Sequence, residues 1–268
     1  MPNKKSNSLF NKPYFISEKA PFEYVESYKS LRTNINFLSS NGKNRKIIVT
    51  SAMQDEGKTS VSINLAISLA QENKRVLLID ADLRNPSVGR YLRMKKDVKL
   101  GLSNILNGEV KVGDCLNSTE YGFDVIVGGP IPPNPTEMLS STSMQDLLQI
   151  AGKHYDYVIC DAPPVAVVTD AVALSPLCDG ILLVVRQKFA NRNHVRSVVK
   201  ILKSVNAKIL GVILNQYNIN KRVNKRYYKY SQYKYGYGYG YGYGYGYGYG
   251  CDYNQHNSKS KKKNNSEE

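Results

Sequence analysis

Six short runs rich in Val, Ile and Leu, separated by helical stretches, limit the fold of this chain more than any other feature. They are Lys46–Ser51 (KIIVTS), Arg75–Asp80 (RVLLID), Phe123–Gly129 (FDVIVGG), Tyr155–Pro164 (YDYVICDAPP), Gly180–Arg186 (GILLVVR) and Ala207–Asn215 (AKILGVILN). Each suits one strand and is apolar through its centre, so each needs cover on both faces. Between them, Gly57–Asn73 reads as a helix with Val61, Leu65, Ser68 and Leu69 facing inward, and Asn191–Ser204 reads as another. Strands alternating with helices give an α/β fold, a mostly parallel sheet with helices on both faces. Upstream, a helical period from Phe22 places Tyr24, Tyr28, Leu31, Ile35 and Leu38 on one face.

The turn after the first run carries chemistry. Ser51–Ser60 reads SAMQDEGKTS, close to the phosphate-loop pattern G-x-x-x-x-G-K-[ST], with Ala52 in place of the first glycine. Backbone N–H groups along Gln54, Asp55, Glu56, Gly57, Lys58, Thr59 and Ser60, at the start of a helix, suit the oxygens of a nucleotide phosphate. Gly57 permits close approach, Lys58 reaches the β- and γ-phosphates, and the Thr59 hydroxyl ligates Mg²⁺. Asp55 adds negative charge beside that cradle. Asp80 and Asp82 end the second run and Asp161 ends the fourth. A parallel sheet gathers its C-terminal strand ends beside one crevice, so three carboxylates and a phosphate loop there make a metal–phosphate constellation. One such aspartate alone would read equally well as a helix cap. Cys160 reads as core, Thr169 and Asp170 as helix caps, and Asn215, at the end of the last run, as a turn residue.

The chain has 268 residues and a net charge of +15. No apolar run approaches the roughly 20 residues of a membrane span, and the polar start does not resemble a secretory signal. Cys115, Cys160, Cys178 and Cys251 show no metal-ligand spacing, which indicates a reduced, cytoplasmic setting. Of 21 tyrosines, thirteen fall after residue 220: Tyr227, Tyr228, Tyr230, Tyr233, then Tyr235, Tyr237, Tyr239, Tyr241, Tyr243, Tyr245, Tyr247 and Tyr249 in a Tyr-Gly repeat, and Tyr253. That segment has no periodicity with which to bury a core and reads as a disordered, basic tail. The expected organisation is a loose arm at 1–20, one domain at 21–220 whose first helix occupies 21–40, and the tail at 221–268.

Four features together resemble the bacterial tyrosine kinases that accompany capsule and exopolysaccharide synthesis. They are the altered phosphate loop, LLIDADLRNP before VICDAPP, GLSNILNG (Gly101–Gly108) followed by GGPIPPNPTEMLSS (Gly128–Ser141), and the tyrosine tail. The resemblance implies a P-loop NTPase-like fold and autophosphorylation on tyrosine with Mg-ATP. It implies that Asp82 and Asp161 hold the metal and that Asp80 accepts the tyrosine proton, although neighbouring Asp80 and Asp82 could exchange roles. It implies as well that Asn215, at the end of the last strand, contacts adenine. It also implies a ring-like homo-oligomer formed through Glu26, Lys29 and Arg32, with the tail phosphorylated by neighbouring subunits. A membrane-embedded, chain-length-regulator-like activator would recruit the chain to the inner face of the membrane. No folded nucleic-acid module is present. The alternative is a partition or septum-site ATPase acting as a spatial switch; those proteins carry an early lysine in the loop where Met53 stands here, and they lack a tyrosine tail.

Overall fold

The computed structural model describes residues 15–38, 45–94 and 100–217. The tail at 221–268, with all thirteen candidate phosphorylation tyrosines, and most of the expected N-terminal arm lie outside the described residues. In chain order the elements are α1 (Phe22–Leu38), β1 (Arg45–Ser51), α2 (Lys58–Ala70), β2 (Val76–Asp80), α3 (Val88–Tyr91), α4 (Leu102–Leu106), β3 (Asn117–Ser118) and β4 (Asp124–Ile126). They continue with α5 (Pro135–Leu139), α6 (Thr142–His154), β5 (Tyr157–Asp161), α7 (Asp170–Leu174), β6 (Gly180–Arg186), α8 (Arg192–Ser204) and β7 (Ile209–Asn215).

The strands form one sheet in the order β3-β4-β2-β5-β1-β6-β7. All pairings are parallel except β3 with β4. Side chains alternate across the sheet with the two-residue period of a strand. In β2, Leu77 and Ile79 enter the core that holds α4 to α8, while Val76 and Leu78 enter the core that holds α1, α2 and α3. Both faces are therefore apolar, which is why the strands read as unbroken Val/Ile/Leu runs.

All six expected strands form; β2, β4, β5 and β7 are shorter than expected, β6 keeps its bounds and β1 gains Arg45. β4 stops at Ile126, not Gly129, because the next two carbonyls leave the sheet to seat the start of α4. Val127 O accepts the Leu102 N–H and Gly128 O accepts the Ser103 N–H. β3 is too short and polar to leave a pattern. α2 is buried almost all round, from Val61 to Leu69, since α1 covers its outer side. On α1, Tyr28 and Ile35 are buried, Tyr24 and Leu31 are half-buried, and Leu38 is exposed. Among the described residues no helix is long and apolar enough to cross a membrane.

Within the chain, the three α1 residues expected on one face divide between two directions. Glu26 and Lys29 pair at 2.7 Å along the helix, but Arg32 turns inward. Its Nη1 donates to Ser68 O at 2.6 Å and its Nη2 lies 2.8 Å from Glu72 Oε1. At about 100° per residue, two steps of three rotate the third side chain about 120° away from the first. Arg32 thus ties α1 to α2.

Candidate active site

The C-terminal ends of β1, β2, β5, β6 and β7 line one edge of the sheet, and the residues singled out above gather there. The turn from β1 into α2 is held from several sides. Glu56 folds back so that Oε2 accepts the N–H of Ala52 at 2.9 Å and of Met53 at 3.3 Å. Its other oxygen is buried with no hydrogen-bond partner among the described residues, and burial raises the carboxyl above its ordinary range. Arg186 at the end of β6 donates to Asp55 O at 3.1 Å, and Asn215 Nδ2 at the end of β7 donates to Glu56 O at 2.9 Å. The Asn215 side chain thus braces the loop. Gly57, the N-cap of α2, has φ +88°, and a Cβ there would lie 2.2 Å from Asn215 Nδ2. Gln54 and Asp55 are exposed at the tip of the turn, and Ser60 is half-buried in the first turn of α2, where its carbonyl accepts from Asn64 Nδ2.

Behind the turn, Lys58 Nζ lies 2.8 Å from Asp82 Oδ2. Burial alone would push the ammonium down, but Asp161, Asp82 and Asp80 around it raise it. Thr59 Oγ1 donates to Asp161 Oδ2 at 2.6 Å, and Ser62 Oγ to Asp161 Oδ1 at 2.9 Å. Asp80 is fully buried. Its Oδ2 accepts the N–H groups of Ser87 and Val88 at 2.8 and 2.9 Å, and Oδ1 that of Asp82 at 3.3 Å. Burial pushes Asp80 up to about 7; the Asp161 charge adds to this, while the Val88 and Ser87 amides and Lys58 oppose it. Burial raises Asp161 as well, against Lys58, Thr59 and Ser62.

A second network borders the site. Arg84 Nε and Nη2 grip both oxygens of Asp170 at 2.8 and 3.0 Å, and Nη2 reaches Thr136 Oγ1 at 3.1 Å. Thr136 Oγ1 itself donates to Asp170 Oδ1 at 2.6 Å. Asp170 therefore does not serve as a simple helix cap, and Thr169 makes no capping side-chain bond to α7. The network joins the loop after β2, the start of α5 and the start of α7. Sequence reasoning missed Ser62, Ser87, Arg84, Thr136 and Arg186. A serine one turn after Thr59 was a faint signal for the first; the others become neighbours only in the fold.

The groups present suit a magnesium–nucleotide. The open N-terminus of α2, one ammonium, one hydroxyl and buried carboxylates meet in one place. Among the described residues no three His, Cys, Asp or Glu side chains form a metal cage on their own. Mg²⁺ bound by one or two carboxylates and a hydroxyl, with phosphate oxygens and water completing its shell, fits that pattern.

Fold and site thus define a P-loop nucleotide-binding domain. A family model described as an AAA domain matches residues 45–219. The tyrosine-protein kinase YwqD of Bacillus subtilis is 38% identical over 204 residues, 76% of this chain and 85% of that protein. The kinase domain of the Escherichia coli tyrosine kinase ETK superposes with a TM-score of 0.68 at 32% identity, covering 82% of this chain and 80% of that one. This chain belongs to the bacterial tyrosine-protein kinase family. The septum site-determining protein MinD of Pyrococcus horikoshii, solved with Mg-ADP, is similar in fold alone: TM-score 0.56, 24% identity, 67% of this chain and 73% of that one. The septum-site alternative is not favoured.

Proposed function

We propose that this tyrosine kinase uses Mg-ATP to phosphorylate its own C-terminal tyrosine cluster, Tyr227 to Tyr253, on neighbouring copies, and so regulates capsular or exopolysaccharide polymerisation and export. The observation that carries the reading is the meeting of Lys58, Thr59, Asp82 and Asp161 at the open N-terminus of α2.

Each residue takes a role in this reading that its position supports. The α2 N-terminus and the 54–60 turn bind phosphate oxygens. Lys58 exchanges its contact with Asp82 for phosphate, which frees the Asp82 carboxylate. Thr59, Asp82 and Asp161 would hold magnesium. When bound, that ion supplies neutralisation of charge on the transferring phosphoryl group. Asp80, whose proton affinity sits near neutrality, receives the phenolic proton of the substrate tyrosine. A phenol has a pKa near 10, so the greater part of the stabilisation comes from the charges around the phosphoryl group.

A homo-oligomer would bring each tail to a neighbouring site, and a membrane-embedded, chain-length-regulator-like activator would recruit it to the cytoplasmic face of the membrane. Each phosphate adds about −1.5 to −2 charges, so about five modified tyrosines offset the basic excess of the tail. The test is an anti-phosphotyrosine blot and mass spectrometry after Mg-ATP, with and without the co-expressed activator. Phosphate on tail tyrosines, increased by the activator, is expected. An unmodified tail alongside ATP turnover would overturn the reading.

A further inference from the structure

The sheet edge built by β6, α8 and β7 contains no acidic residue: after Asp179 no Asp or Glu occurs before the described residues end at Tyr217. Basic residues are frequent there. α8 carries Arg192, Arg196, Lys200 and Lys203, spaced four, four and three residues apart, so they form one stripe along its length. All four are exposed, as are Lys188 and Lys208 at either end of the helix. None of these six forms an ion pair among the described residues. The opposite face of α8 is fixed to the core by Val198 and Leu202, so the stripe cannot turn inward. Apolar side chains lie exposed in the same region: Ile201 is 41% exposed, Val205 45% and Val212, on the edge strand, 57%.

We infer that the α8–β7 edge is a docking surface for the anionic phospholipid face of a membrane. A row of cations without interspersed acids matches the negative potential of such a surface and, among the described residues, has no ion-pair partner to give up. Long Lys and Arg side chains reach headgroup phosphates along one flank of the exposed face, while Ile201 and Val205, turned about 100–180° around the helix from the stripe, meet the apolar boundary on the other flank. That mixture suits a lipid interface better than a nucleic-acid backbone, which offers no apolar boundary. This contact is direct and does not depend on the kinase reading or on an activator.

The test uses the full chain and sedimentation with phosphatidylcholine vesicles, with and without phosphatidylglycerol. Binding is expected only with the anionic lipid and should weaken with salt. The variant Arg192→Gln/Arg196→Gln/Lys200→Gln/Lys203→Gln should lose about tenfold or more in partition. A tail variant with the same charge change, Lys259→Gln/Lys261→Gln/Lys262→Gln/Lys263→Gln, should stay within about twofold. Equal loss in both variants, no preference for anionic vesicles, or equally strong capture by duplex DNA would overturn the proposal. A second measurement is independent of the stability of the quadruple variant. The chain has no tryptophan. Ser197→Trp on the exposed side of α8 should shift its emission to the blue on anionic vesicles, whereas Phe37→Trp on α1, across the sheet, should not. An unshifted Ser197→Trp, or equal shifts in both, counts against the α8 face.

Discussion

Asp80 and Asp161 are register partners on the adjacent parallel strands β2 and β5, and both side chains are fully buried. Neighbouring strands lie about 4.8 Å apart, so the fold forces two carboxyl groups together in a medium that disfavours charge. Burial raises both, Asp80 to about 7.

The consequence is a pH dependence opposite to that of most paired carboxylates. A raised Asp binds its proton more tightly folded than unfolded, so the folded state takes up protons between the ordinary Asp range and about 7. Stability of the ligand-free protein should therefore fall as pH rises from about 4 to 7, then level off, and Asp80 alone contributes up to about 4 kcal/mol of the change. Urea unfolding across that window checks it. Asp80→Asn should flatten the slope; an unchanged slope would remove Asp80 as its source.

Lys58 is the cation that keeps these acids tolerable, with Asp82 in contact and Asp161 and Asp80 within its field. Lys58→Met should abolish phosphotyrosine formation. It should also destabilise the ligand-free protein by about 2–3 kcal/mol at pH 8, because Asp82 is left nearly buried without its partner. Asp80 and Asp161, both raised by burial, take up protons more readily than ordinary aspartates, which removes negative charge from around the missing cation, so the loss should shrink at pH 5.5. Equal losses at both pH values would show that packing of the lysine stem, and not charge, is what the variant removes.

The Arg84–Asp170–Thr136 network predicts coupling between distant parts of the chain. Arg84→Lys keeps the charge but loses the planar fork, leaving one oxygen of buried Asp170 short of a donor. Arg84→Lys and Thr136→Val should each cost about 1 kcal/mol, and the double variant should depart from their sum by about 0.5 kcal/mol or more. Strict additivity in a thermal or urea double-mutant cycle would show that the three groups do not act together.

Lys58, Thr59, Asp80, Asp82 and Asp161 were legible as a cluster because a parallel sheet sends the ends of its strands to one crevice. That rule needs only the strands and their terminal residues, both plain in the apolar runs. It does not say which strands are neighbours, so the pairing of Asp80 with Asp161 was hidden, along with the pKa that follows from it. Arg84 and Asp170 are 86 positions apart and each is locally explicable as a loop residue and a cap. Arg32 misled for a different reason. Spacing by three approximates one helical face over one step but not two, and Glu72 on α2 drew the third side chain inward. Asn215 was visible as a strand end, but its contact with Glu56 O depends on β7 lying beyond β6, two strands from the loop it braces.

That contact governs the last prediction. Gly57 sits at φ +88°, where an L side chain is strained by about 1 kcal/mol or more, and its missing Cβ is the space that Asn215 Nδ2 occupies. Gly57→Ala should therefore incur two costs, the backbone strain and the displacement of Asn215 from Glu56 O, together about 2–3 kcal/mol, with loss of nucleotide binding. Asn215→Ala alone should cost about 1 kcal/mol, the value of one hydrogen bond. In the double variant the clash is gone and only the backbone strain remains beside the lost bond. Its destabilisation should fall below the sum of the singles by about 1 kcal/mol, without returning to wild type. Urea denaturation of the four proteins measures that difference. A double variant equal to the sum would mean that Asn215 moves aside freely, and that the glycine is required for its φ angle alone.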